Sequence, residues 1–373
     1  MKFAHISDLH LGMRICDVKI AEDQRYILNQ IADIIKANKP DGVLISGDIY
    51  DRPVPPEESV EILSGFLTKI RRLGPEIYMI SGNHDSPERI DFAKELFGSA
   101  GIHINGKYDG EVKRVIRKDE YGEVNIYLLP FIKPSFVNNL LPEDERIEAT
   151  DYETAVRKVL EEVKPDTDKR NVILAHQFVQ GATRSESEEV IVGFIDAISA
   201  DCFNEYDYVA LGHLHKRQHI KRKTLLYSGS PLKYSFKEEK NKKSVTFVEL
   251  KEKGNIEISE VPLMAKRDMK NIEGNFSDII KRSSDDYVRV VLDDEVPVPF
   301  AFNKLRNSYP NILKLEYASK KNYGAMIKEN TGLKEKTPME LFEEFYFQSN
   351  ATRLNERQKK FMEEIFEEEK EEV

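Results

Sequence analysis

Along the first two-thirds of the chain, short apolar runs alternate with polar segments of helical period. Gly42-Val43-Leu44-Ile45, Ile77-Tyr78-Met79-Ile80, Val172-Ile173-Leu174-Ala175 and Tyr208-Val209-Ala210-Leu211 are continuous enough to read as strands buried on both faces. Residues 2–6 form one more at the start. Helical patterns lie between, over 22–38, 57–73, 87–97 and 152–163. The fold class is therefore α/β: a layered core flanked by helices, with loops gathered at the carboxyl ends of strands, where such folds place ligands. Leu225-Leu226-Tyr227 and Val245-Thr246-Phe247-Val248 read as closing antiparallel strands.

The pattern changes after residue 262. Strand 266–272, helix 276–282, strand 287–292, helix 300–307 and strand 312–317 predict a small α+β unit over 263–317. It is too short to bury a generous core of its own and is expected to cap the main domain. Residues 318–336 are polar and lysine-rich, as a linker is. In the arm over 337–373, Thr337 is an N-cap, Pro338 the first helical residue and Glu340 the third, a capping box. Leu341, Phe342, Phe345 and Tyr346 make an apolar stripe, and a second helix from about Thr352 puts Leu354, Phe361, Met362, Ile365 and Phe366 on one face. Two short helices cannot bury so much aromatic surface between themselves, which predicts docking in a partner's groove.

At 373 residues, 40% hydrophobic, the chain is long enough for more than one core. No apolar stretch approaches a membrane span, and residue 2 already begins a strand, so neither a membrane nor a targeting segment is expected. Two cysteines, Cys16 and Cys202, give no disulfide framework and suit a reducing cytoplasm. The net charge of -10 argues against a dedicated basic nucleic-acid domain. Much of that charge is local, because residues 363–373 hold seven Glu and one Lys. Bound cations would further change the balance where chemistry occurs.

Chemistry is concentrated where strands end. Asp8-Leu9-His10, Gly47-Asp48 with Asp51, Gly82-Asn83-His84-Asp85, His176 and Gly212-His213-Leu214-His215 each follow an apolar run. Oxygen and imidazole donors collected this way suit two divalent ions that cleave phosphate esters, which need a shared carboxylate and an open place for a hydroxide nucleophile. Asp8 and His10 can face one ion, Asp48 suits the bridge, Asn83 offers a neutral oxygen, and His176, His213 and His215 offer imidazoles. Ligation without thiolate favours Mn, Fe or Zn over Ca or Mg. His84 follows a candidate ligand, so its side chain points away toward substrate, as the catalytic histidine, with Asp85 or Asp51 orienting it. His5, inside the first strand, reads as a core histidine, and His103 and His219 have no assigned role. The run Lys216, Arg217, Lys221, Arg222 and Lys223 is either a phosphate contact or a solvated face. Helices 57–73 and 87–97 are candidates for a dimer interface.

In that order, the motifs resemble the calcineurin-like metallophosphoesterases. The flanking text, His5-Ile6-Ser7-Asp8-Leu9-His10-Leu11-Gly12, Gly82-Asn83-His84-Asp85-Ser86-Pro87-Glu88-Arg89 and Ser228-Gly229-Ser230-Pro231, is similar to the meiotic-recombination-eleven (SbcD-type) nucleases. Residues 337–346 are similar to that family's segment for its ATPase. The resemblance implies a β-sandwich metallophosphoesterase core and two Mn²⁺ ions per subunit. One ion would take Asp8, His10, Asp48 and His215, and the other Asp48, Asn83, His176 and His213. It also implies DNA as substrate, single-strand endonuclease and 3′-to-5′ exonuclease activity in double-strand-break repair, a homodimer, and an SMC-like ABC ATPase of the Rad-fifty/SbcC type as partner. The protein would be cytoplasmic, and on the nucleoid when bound to DNA. Asp51 stands where many relatives have His. A phosphatase or cyclic-nucleotide phosphodiesterase is the alternative, although those enzymes usually carry Glu at the position of Asp85; a DNA-end tether is another.

Overall fold

The computed structural model describes residues 1–183, 196–318, 337, 339–340, 342–343, 346–347 and 352–371. It divides into two units, Met1–Lys270 and Asn271–Val373.

The first unit is built on two six-stranded sheets. One runs in the order Ile256–Pro262, Ser244–Leu250, Lys2–Ile6, Gly42–Ser46, Glu76–Ile80 and Ile102–Asn105. Its last four strands are parallel, and Ser244–Leu250 is antiparallel to both of its neighbours. The other runs Gln218–Ile220, Arg222–Tyr227, Tyr208–Gly212, Arg170–His176, Gly122–Leu128 and Lys113–Asp119. Its four central strands are parallel.

Alternation along each strand explains why the apolar runs are unbroken. Val172, Leu174, Tyr208 and Ala210 face inward and pack with Phe3, Leu44, Tyr78 and Ile80 of the opposite sheet. Ile173, Ala175, Val209 and Leu211 face outward and are covered by Ala155, Val156, Val159 and Leu160 of helix Tyr152–Glu161. Both faces are dry, so every position is apolar. Helix Glu57–Leu73 lies against strand Glu76–Ile80 and beside helix Ala21–Asn38, whose Ile27, Ile31 and Ile35 are buried.

Three local features differ from or add to the expectations. Leu225–Tyr227 is antiparallel to Gln218–Ile220 on one side, as expected, but parallel to Tyr208–Gly212 on the other; a run buried on both faces carries no sign of strand direction. Helix 87–97 is two pieces, Pro87–Ile90 and Lys94–Ser99, interrupted where Ala93 takes φ 56°. Lys113–Asp119 and Gly122–Leu128 form an antiparallel hairpin that the periodicity did not suggest.

In the second unit a three-stranded sheet, Met269–Gly274, Tyr287–Leu292 and Ile312–Tyr317, carries helices Phe276–Ile279 and Ala301–Leu305. Val288, Val290, Leu292, Leu305, Tyr309 and Ile312 form its core. The predicted linker, apart from residue 318, lies outside the described residues, as do Leu341, Phe345 and the Phe366 side chain. In the arm, the Thr337 backbone N–H donates to Glu340 Oε2 (2.7 Å) and the Glu340 N–H donates to Thr337 Oγ1 (3.3 Å), closing the expected capping box. Asn355 and Gln358 close a second one ahead of helix Glu356–Glu371. Phe342 and Tyr346 lie 6.3 Å apart between ring centres, Tyr346 receives a hydrogen bond from Gln358, Leu354, Met362 and Ile365 are half-buried, and Phe361 is 61% exposed.

Candidate metal centre

The ends of five strands, Lys2–Ile6, Gly42–Ser46, Glu76–Ile80, Arg170–His176 and Tyr208–Gly212, meet at one edge of the sandwich. The chain turns there through conformations that side chains seldom adopt: φ is 54° at Asp8, 41° at His10, 48° at Asp48 and 104° at His213. Such strain collects at functional sites. The backbones also approach so closely that only glycine fits. A Cβ on Gly82 would lie 2.1 Å from Asp48 Oδ1, and one on Gly212 would lie 1.9 Å from the Ser46 carbonyl oxygen.

Asp8, His10, Asp48, His176, His213 and His215 are all buried. One atom each of Asp8, His10 and His215, of Asp8, Asp48 and His176, and of His10, Asp48 and His84 can come within 4.8 Å of one another. Asn83 Oδ1 lies 3.0 Å from both His176 Nε2 and His213 Nδ1. Thus all seven candidate ligands and His84 are brought to one place.

The hydrogen bonds decide what this place can hold. His176 Nδ1 lies 2.8 Å from the Ser46 carbonyl oxygen, which only accepts, so Nδ1 carries a hydrogen. Nε2 of the same ring then presents a lone pair toward Asn83 Oδ1 and toward Asp48 Oδ2 at 3.2 Å. His215 repeats the arrangement. Its Nδ1 faces Glu238 Oε1 at 3.3 Å, leaving Nε2 opposed to His10 Nε2 at 3.1 Å. His10 Nε2 is also 3.6 Å from Asp48 Oδ2, and His10 Nδ1 has no hydrogen-bond partner among the described residues. Electron-rich atoms therefore converge from all sides in a buried space. Positive charge relieves the approach of Asp48 Oδ2 to these nitrogens.

A proton supplies some of it. Burial lowers the His176 pKa, but the Asp48 charge more than offsets that and carries it up to about 9. Burial opposes ionisation of Asp48, yet the adjoining imidazoles hold its carboxyl well below the ordinary range. Asp8, desolvated and beside Asp48, rises to about 6. Two buried carboxylates and four buried imidazoles, of which His176 and His215 are held with Nε2 facing inward, fit divalent cations better than they fit protons.

His84 lies at the rim, half-buried. Its backbone N–H donates to Asp48 Oδ1 (3.0 Å), and its Nδ1 faces the Asp51 carbonyl oxygen (3.1 Å). Asp51 thus meets His84 through its main chain, while its carboxylate faces Arg52. Asp85, the other expected orienting group, does something else. Its two oxygens accept from the backbone N–H groups of Ile49, Tyr50 and Gly82, stitching the Asp48 turn to the Asn83 turn. His5 is a core residue as expected: Nδ1 lies 2.9 Å from Tyr208 Oη, Nε2 lies 3.2 Å from Ser46 Oγ, and burial takes its pKa down to about 3. The basic run is largely engaged already, with Arg217 on Thr246 and Glu260, Lys221 on Asp201, and Arg222 on carbonyl oxygens of Phe203 and Tyr206.

Residues 1–217 match the model of the calcineurin-like phosphoesterase family. The chain belongs to that family. Residues 265–350 match a second family, described as the type 5 capsule protein repressor C-terminal domain. A Staphylococcus epidermidis protein, named as the SbcD component of the nuclease SbcCD, is 31% identical over 324 residues, 84% of this chain and 85% of its own length. Its namesake from Staphylococcus saprophyticus subsp. saprophyticus is 30% identical over 376 residues, covering 98% and 97%. A dimetal phosphatase from Danio rerio aligns with 71% of this chain and 98% of its own at a TM-score of 0.43 and 10% identity.

As a calcineurin-like phosphoesterase the chain is a metal-dependent enzyme acting on phosphate esters, and the donor set just described is where its divalent metal fits. Sequence reasoning missed Glu238 and the Ser46 carbonyl, the groups that fix the imidazoles. Glu238 lies 23 positions from His215 in a charged loop, and no local signal marks it.

The glycine contacts give a direct test. Gly212→Ala should drive Ser46 and His176 apart, costing about 1–3 kcal/mol of stability and lowering divalent-metal affinity at least tenfold. Denaturant unfolding and titration calorimetry read the two effects; wild-type metal affinity would show that the close approach does not set the ring's position.

Proposed function

We propose that this enzyme is a manganese-dependent nuclease that processes DNA double-strand breaks, with single-strand endonuclease and 3′-to-5′ exonuclease activity, in complex with an SMC-like ABC ATPase of the Rad-fifty/SbcC type. The observation that carries the reading is the Asp48 carboxylate, common to two of the three donor groups and facing both His10 and His176, in a chain whose relatives, matched over most of their length, are named as subunits of the nuclease SbcCD.

In this reading Asp8, His10, Asp48 and His215 hold one Mn²⁺, and Asp48, Asn83, His176 and His213 hold the other. Together the ions supply the charge that a phosphodiester and the water attacking it require. The protein's own groups do the rest. Asp48 fixes the spacing of the two clusters and, through Oδ1, the backbone of His84. The Asp51 carbonyl keeps a hydrogen on His84 Nδ1, so Nε2 is where a second proton would sit when the ring is an imidazolium, and from there it would pass to the departing deoxyribose oxygen. With the acidic tail accounting for much of the net charge, the metals themselves are the main attraction for DNA phosphates.

Two surfaces support the assembly. Val60, Leu96 and Phe97 are exposed to 45%, 74% and 38% on the helices proposed as the homodimer interface, and Phe92, in the turn between two of them, to 75%. Phe361 and the half-buried Phe342, Tyr346, Leu354, Met362 and Ile365 are the described part of the apolar face that suits an ATPase groove. The domain plan proposed is 1–262 nuclease, 263–317 cap, 318–336 linker and 337–373 arm. Among the described residues no helix is long and apolar enough to cross a membrane. The free thiols Cys16 and Cys202 fit the proposed cytoplasmic, nucleoid-associated setting.

Labelled single- and double-stranded DNA incubated with Mn²⁺ or Mg²⁺ tests the activity, with p-nitrophenyl phosphate and its bis ester as controls. Wild type should cut DNA and the diester in Mn²⁺. His84→Ala should lose about 10²-fold or more of that rate while metal stoichiometry stays unchanged. Preference for the monoester would indicate a phosphatase instead, and metal loss in the variant would make His84 a ligand. Removal of residues 337–373 should leave short single-strand cleavage intact and end co-purification with the ATPase; retained co-purification would refute the role of the arm.

A further inference from the structure

Behind His215 lies a buried ionic chain that the expected ligand set does not include. Glu238 is 0% exposed and Lys243 8%. Glu238 Oε2 accepts from Lys243 Nζ at 2.6 Å, while Oε1 lies 3.3 Å from His215 Nδ1 and accepts from the Tyr234 backbone N–H at 3.3 Å. Lys243 Nζ also donates to Ser230 Oγ (2.7 Å) and to the main-chain carbonyl of His215 (2.9 Å). All three ammonium hydrogens are thus directed, and one lysine grips His215 twice: by its backbone directly and by its ring through Glu238.

A buried ion pair is costly to desolvate, and packed apolar side chains in its place are often no less stable. Fold stability is therefore a poor account of it. A carboxylate on the distal nitrogen of an imidazole has a specific effect, because it fixes the tautomer, aims Nε2 and raises the ring's basicity toward a metal. Lys243 in turn pairs with the Glu238 carboxylate at 2.6 Å and holds it against the imidazole. The same segment serves the neighbouring donors. Ser228 Oγ lies 2.8 Å from Ser7 Oγ, which donates to Asp8 Oδ2, and the Tyr234 ring stands edge-on to both His10 and His215.

The other cluster is built differently. His176 is aimed by a main-chain carbonyl, that of Ser46, with no charged group on its Nδ1. Asn83 Oδ1 lies against His176 and His213.

We propose that Lys243 and Glu238 are positioning residues for one half of the metal centre only, the cluster of Asp8, His10 and His215, and that they set its affinity independently of the Asn83–His176–His213 half. The proposal rests on the two-ion reading above. The two rings differ in what backs them: His215 would meet its ion with a carboxylate paired to an ammonium behind it, and His176 with a main-chain carbonyl behind it.

The test avoids leaving a lone buried charge. In the double variant Glu238→Gln with Lys243→Gln, the new amides can still bridge Tyr234 and Ser230, so folding is expected to survive; thermal unfolding checks this. Mn²⁺ is titrated into wild type and variant by calorimetry and followed by electron paramagnetic resonance. Wild type should bind two ions with the signal of a coupled pair. The variant should lose about 10- to 100-fold in affinity at one site, with the other unchanged, so that at intermediate Mn²⁺ an isolated-ion signal replaces the coupled one. Ser230→Ala, a milder cut at the same ammonium, should weaken that one site several-fold and decides the matter should the double variant not fold. Two wild-type affinities in a folded variant, or equal losses at both sites, would overturn the proposal alone. A wild-type protein that binds a single ion would overturn the two-ion reading, and the proposal with it.

Discussion

The centre depends on a single electrostatic constraint: buried lone pairs pointing at one another. Asp48 is its pivot. One carboxylate oxygen anchors the backbone of His84, and the other faces Nε2 of His176 at 3.2 Å and of His10 at 3.6 Å. Each of those rings would be content with a hydrogen bond in ordinary surroundings. Here Ser46 and Glu238 fix the distal nitrogens of His176 and His215, so that neither ring can rotate to satisfy itself. With those tautomers fixed, a cation satisfies the buried carboxylates and the inward-facing nitrogens together.

Holding such an arrangement requires a stiff frame, and the two sheets provide it. Their inner faces share one dry core, and the outer faces are covered by helices, so the strand ends cannot shift singly. The glycines at 82 and 212 let adjacent turns approach to distances that any side chain would block. Asp85 then ties two of the turns together through three backbone N–H groups. Chemistry and architecture are thus joined at the same few residues, which is why four of them tolerate left-handed backbone.

What was legible in the sequence follows from this division. The donors were readable because the chemistry restricts their type and because each stands where an apolar run meets a turn. Helices such as Ala21–Asn38 and Glu57–Leu73 were readable because one face is apolar. The parallel pairing of Leu225–Tyr227 with Tyr208–Gly212, beside its antiparallel one, was not, since burial on both faces erases the periodic signal. The break at Ala93 escaped because period says nothing about a single residue's φ. Glu238 and Lys243 were hidden for a different reason: in Phe236-Lys237-Glu238-Glu239-Lys240-Asn241-Lys242-Lys243 they look like any solvated charged loop, and only the fold shows which two turn inward. Asp85 likewise sits beside His84 in sequence and serves the backbone in space.

The central claim is that two cations share the Asp48 carboxylate. Anomalous diffraction from crystals equilibrated with Mn²⁺, collected at the manganese edge, tests it most directly. The account predicts two peaks about 3.5–4 Å apart, one against His10 and His215, the other against Asn83, His176 and His213, with Asp48 between them. A single peak, or a pair in which Asp48 touches only one ion, would contradict it.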